Sequence, residues 1–141
     1  MNAISAQSEP EIPQGTGLMP PTNLSENPGT LMEIIARHAR LSPEKTAFTV
    51  HEEGAVTYRL LHTRILQVAR YLDNIGIRAG DRVLIALKNS ASFFYAFYGI
   101  LKIAAIAVPI YPGSGLERIG GLGKLCTASA LFLSKDDQRV K

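Results

Sequence analysis

Cysteine is almost missing from this chain. Cys126 stands alone, so no internal disulfide can form, and a reducing, cytoplasmic setting is expected. Histidine is sparse as well: His38, His51 and His62 lie far apart. They make no Cys/His cluster with metal-ligand spacing, and no metal site is assigned. The N-terminus lacks the basic start and apolar core of a secretory signal. Charge of one sign is lacking too. Fifteen Lys and Arg against twelve Asp and Glu leave a net charge of +3, too mild to argue for nucleic acid.

What is present suits one small globular domain. The chain has 141 residues, 46% hydrophobic and 19% charged, enough for a real core. Residues 1–28, "MNAISAQSEPEIPQGTGLMPPTNLSENP", are rich in Pro, Ser, Gly, Asn and Gln. They read as a disordered leader, with residues 29–141 as the folded part.

Residues 91–112, "ASFFYAFYGILKIAAIAVPIYP", are almost wholly apolar and of spanning length. Lys102 in the middle is costly in lipid. The residue types also change from aromatic and Leu to Ile, Ala and Val. A buried helix passing into a strand is therefore expected, not a membrane span.

Thr30 and Glu33 have capping-box spacing, and Leu31, Ile34, Ile35 and Ala39 follow at helical intervals. Ser42-Pro43 closes that helix. "TAFTV" and "VTY", around the turn "HEEGA", read as a hairpin. A second amphipathic helix carries Leu61, Ile65, Val68 and Leu72 on one face and stops at Gly76. Asp81 shapes the turn into a buried strand, residues 82–87. The next helix runs from Ser90 or Ala91 to about Ala104, with Phe93, Phe94, Phe97, Ile100 and Leu101. "AIAVPI" reads as a core strand, "LERIGGLGKLC" as a glycine-weakened helix, residues 130–134 as a further strand and "KDDQRVK" as a polar end. Alternating strand and helix imply an α/β fold with a mostly parallel sheet and flanking helices. So few strands leave the architecture unfinished.

Candidate chemistry is thin. "VPIYPGSG", residues 108–115, ends a strand in glycines, as a phosphate cradle would. Arg118 stands where a dinucleotide fingerprint needs its third glycine, and no Gly-Lys-Ser or Gly-Lys-Thr follows. A plain strand-to-helix connection is the preferred reading, with Ser114 as a possible helix cap. Arg59, Arg64 and Arg70 read as a solvated helix face, because no aromatic residues interleave for base stacking. His51 beside Glu52 and Glu53 reads as a soluble hairpin tip, although metal binding is the alternative. His38 and His62 face water or a core edge. Cys126 reads as a small buried hydrophobe. No Ser/His/Asp set and no paired carboxylates emerge.

The segments "TLMEIIARHARLSPEKTAF" and "VTYRLLHTRILQVARYLDNIGIRAGDRVLIALKNSASFFYAFYGILKIAAIAVPIYP" have a combined meaning. In this order and spacing they resemble the N-terminal region of the adenylate-forming acyl ligases. That superfamily includes acyl-CoA synthetases, fatty acyl-AMP ligases and nonribosomal-peptide adenylation domains. The resemblance covers about Thr30 to Ser134, and Tyr111-Pro112 leans toward the fatty-acyl branch. It implies an incomplete N-terminal part of the ligase large domain. It also implies a two-step reaction: carboxylate and ATP give an acyl-adenylate, and the acyl group then passes to a thiol. That thiol belongs to coenzyme A or an acyl carrier protein.

The family's phosphate loop, adenine segment, ribose-binding Asp and C-terminal lysine do not occur here. No catalytic, cofactor-binding or metal residue is therefore carried over. ATP and magnesium are expected for the full-length enzyme and not for this fragment, which is expected to be inactive alone. Its implied partner is the missing remainder of the ligase domain or a complementing chain. The alternative is a non-catalytic binding or interaction module.

Overall fold

The computed structural model describes residues 29–134 and residue 137. The leader and most of the polar end lie outside the described residues. Helix α1 (Leu31–Leu41) starts as the capping box requires. The Thr30 hydroxyl accepts the Glu33 amide at 3.3 Å, and the Glu33 carboxylate accepts the Thr30 amide at 2.6 Å. Strands β1 (Thr46–Val50) and β2 (Gly54–Thr57) form the expected antiparallel hairpin. Its second strand ends one residue earlier than "VTY" suggested. Thr57 is the N-cap of α2 (Tyr58–Asn74), its hydroxyl accepting the Leu60 amide, so Tyr58 is already helical. Leu61, Ile65 and Leu72 are buried on α2 as its period dictates, with Ala69 between them and Val68 half-buried. Gly76 takes the left-handed conformation just past the helix end, at φ 89°.

Strand β3 (Arg82–Ala86) follows a turn held by Asp81, whose carboxylate accepts the Arg78 amide at 2.7 Å. Helix α3 (Ala91–Lys102) and strand β4 (Ile106–Pro109) occupy the long apolar run. No helix among the described residues is long and apolar enough to cross a membrane. On α3 the fully buried side is made of Ala91, Ala96, Gly99 and Ile100. The three phenylalanines that dominate the sequence pattern are only half-buried. Small residues let α2 approach closely, and the aromatic rings fill the margins. They touch one another and reach Phe48 of the hairpin.

Helix α4 (Leu116–Leu125) and strand β5 (Ala128–Leu133) complete the described chain. Ser114 does not cap α4: the N-cap is Gly115, which makes no side-chain cap bond. Strand β5 begins at Ala128, two residues before the apolar run suggested, because Arg82 of β3 already pairs with Ala128.

The sheet is parallel with strand order β4-β3-β5. Among the described residues "AIAVPI" is thus an edge strand, not a core one, and Pro109, lacking an N–H, is tolerated at its end. Among the described strands only β3 is buried along nearly its whole length. From β3 the chain steps one way to β4, then back across to β5. Right-handed crossovers in opposite directions place α3 and α4 on opposite faces. The side chains of β3 alternate accordingly. Val83 and Ile85 pack with Leu72, Ala96 and Ile100, whereas Leu84 and Ala86 pack with Ile119 of α4.

Candidate functional site: a cavity at the carboxyl ends of the strands

Reversing the direction of the crossovers at β3 opens a crevice beyond the carboxyl ends of the strands, where open α/β sheets hold their ligands. A cavity of about 920 Å³ lies there. Its floor is apolar: Ala86 and Leu87 from the end of β3, Phe132 and Leu133 from the end of β5. Ala96 and Tyr95 of α3 and Val68 of α2 form one side, and the turn at Pro112 and Gly113 borders another. Lys88, Ser90, Ser92 and Asp137 supply its polar groups.

The N-terminus of α3 meets this cavity, and two of its first three amides are engaged by the protein. Ser90, the N-cap, accepts the Phe93 amide through its hydroxyl at 3.2 Å. The Ala91 amide donates to Glu53 Oε2 at 3.2 Å, across 38 residues of sequence. The carboxylate from the hairpin tip thus stands where a ligand anion would otherwise be drawn by the helix dipole. Tyr95, on the next turn, has its phenol pushed up from the ordinary value of 10.0. Burial is the main cause; nearby Arg64 opposes the rise and Glu53 adds to it.

The "YPGSG" connection does not fit a nucleotide phosphate. The ring of Tyr111 covers the bare side of Gly113, so that an added Cβ would meet Tyr111 Cε1 at 2.5 Å. Ser114 is buried, its amide bonded to the Tyr111 carbonyl at 3.0 Å. Glu117 then sits in the first turn of α4 and repels an anion there. No three His, Cys, Asp or Glu residues among the described ones group so as to hold a metal ion.

The other residues singled out in the sequence are dispersed. His38 stacks on Tyr58, ring centroids 4.7 Å apart. Arg59 pairs with Glu44, and Arg64 bonds Gln67. Arg70, His51 and Glu52 are exposed. Cys126 packs half-buried beneath α4. The cavity gathers none of these. Sequence reasoning did not gather these walls, and it took Ser90 only as a possible first residue of the helix. The Glu53–Ala91 bond left no local signal, because it joins segments far apart in sequence.

A parallel sheet flanked by helices on both faces, preceded by a helix and a hairpin, defines the N-terminal domain architecture of the adenylate-forming ligases. The family described as AMP-binding enzyme matches residues 35–141, and the chain belongs to it. Bacitracin synthase 3 of Bacillus licheniformis is 36% identical over 112 residues, covering 79% of this chain and 2% of that protein. The 2-succinylbenzoate–CoA ligase of Bacillus cereus is 29% identical over 79 residues, covering 56% of this chain and 16% of the relative. The fatty acid AMP ligase from Legionella pneumophila superposes with a TM-score of 0.69 at 26% identity, covering 76% of this chain and 20% of that one. The chain thus spans a small part of the relatives it matches.

Proposed function

We propose that this chain forms the opening part of an ATP-dependent carboxylate-activating ligase, and that its substrate is a fatty or other hydrophobic carboxylate. The whole enzyme would join carboxylate and ATP into an acyl-adenylate, release pyrophosphate, and pass the acyl group to a thiol of coenzyme A or a carrier protein. ATP, magnesium and the thiol carrier belong to that whole enzyme, and none is assigned to residues of this chain. The observation that carries the reading is the apolar cavity beyond the strand ends in a chain of this family. Its floor of Leu87, Phe132 and Leu133 suits an acyl group better than a charged one. The names of the relatives span a peptide synthase, a CoA ligase and a fatty acid AMP ligase. The fatty-acyl branch therefore rests on that lining and on Tyr111-Pro112.

The test is carboxylate-dependent exchange of labelled pyrophosphate into ATP. The 141-residue chain alone should give none. Co-expression with the downstream part of a related ligase domain should restore exchange, with fatty acids preferred over amino acids and aryl acids. Exchange by the chain alone would overturn the division of labour. Restored exchange that favours amino acids would overturn the fatty-acyl assignment.

A second reading, a non-catalytic interaction module, has one observation in its favour. The outer edges of β4 and β5 carry no paired strand among the described residues, and such edges recruit other chains. A stable complex that never supports exchange would favour it.

A further inference from the structure

The hairpin tip lies far from α3 in sequence, yet it meets the first turn of the helix that forms one side of the cavity. Glu53 Oε2 accepts the first amide of α3. In its turn Glu53 is flanked by two residues at positive φ, Glu52 at 70° and Gly54 at 87°. A non-glycine residue in the left-handed region costs free energy and persists where the surroundings require it. Phe48 of the same hairpin lies against Phe94 of α3, ring centroids 4.6 Å apart. Val50 and Tyr95 belong to one apolar cluster with the buried Ala91. A polar clamp and an apolar contact thus bind the same hairpin to the same turn of helix. Ser92 of that turn, and Tyr95 and Ala96 of the next, line the cavity.

We propose that the β1–β2 hairpin is a strap on the cavity, with Glu53 the positioning residue that fixes the first turn of α3 and, through it, the Tyr95 wall. Glu53 touches no reacting atom in this role. The strap rests on the cavity being the functional site. Its test reads geometry rather than catalysis, so its failure leaves the ligase assignment standing.

Two measurements on the full chain decide it. The first is amide exchange resolved at Ala91. Glu53→Ala should speed exchange there about tenfold, the loss expected when a cap is removed. Glu53→Gln, which keeps an acceptor oxygen, should recover most of the protection, and the exposed neighbour Glu52→Gln should change nothing. The second is the ultraviolet titration of Tyr95, assigned by difference from Tyr95→Phe. Arg64 of α2 faces this phenol along with Glu53, and Lys88 and Asp137 line the same cavity. Removing the Glu53 charge should lower the midpoint of Tyr95 in both Glu53 variants.

Should Glu53→Ala fail to fold, Glu53→Gln carries the test alone, through a lowered Tyr95 titration with Ala91 still protected. Unchanged Ala91 exchange in a folded Glu53→Ala overturns the proposal. An unchanged Tyr95 titration in Glu53→Gln overturns it equally.

Discussion

Gly99 of α3 lies directly against the side chain of Val68 of α2. A Cβ built on Gly99 would come within 2.5 Å of Val68 Cγ1 and 3.4 Å of the Ile65 carbonyl. The missing side chain sets the distance between the two helices that cover one face of the sheet. Gly99→Ala should therefore destabilise the fold, by about 1–3 kcal/mol as overpacked cores do. The usual helix preference for alanine would predict the opposite sign. Chemical denaturation of Gly99→Ala, alone and combined with Val68→Ala, checks this. The double variant should recover part of the loss, and additive losses would refute the contact.

Gly121 in α4 meets the reverse situation. Nothing lies within 4 Å of a Cβ built there, and its φ is not in the left-handed region. Gly121→Ala should stabilise the fold by about 0.5–1 kcal/mol, the ordinary gain in an exposed helix interior. The measurement is a rise in thermal midpoint. A fall would show that another element packs on α4 at this residue.

Glu52 is the exposed non-glycine residue at φ 70° in the hairpin turn. Glu52→Gly removes a left-handed penalty of roughly 1–2 kcal/mol and adds back part of it as chain entropy. A small net gain in stability is expected, read by urea unfolding. A loss would show that the Glu52 side chain makes a contact of its own.

Tyr95 makes stability fall at alkaline pH. Its folded pKa lies above the unfolded value of 10.0, so the folded state holds this proton more tightly. The contribution is complete below pH 10.0 and is lost as pH rises through the folded pKa. Unfolding free energies measured from pH 8 upward should decline beyond about 10. Tyr95→Phe should remove that part of the decline, and an identical pH profile in the variant would contradict it.

The elements themselves were readable because each carries a local cause. Thr30 with Glu33, Gly76, and the apolar run of β3 all act within a few residues. The parallel sheet followed from alternation alone. Strand order did not: nothing local tells β4 from β3, and only Pro109 hinted that the former is an edge. The aromatic residues of α3 misled for a physical reason. Their size suggested the buried side, but close helix packing selects Ala96 and Gly99 instead. The cavity was illegible because its walls come from five separate segments, and the Glu53 clamp because it is long-range.

The central place of β3 has a consequence for how the chain is made. Synthesis delivers β3 first, then β4 to one side and β5 to the other. The sheet therefore widens outward in the order in which the ribosome releases it. Each parallel pairing must wait for a whole intervening helix, which slows closure. Until then the nascent chain presents an open apolar strand to its neighbours.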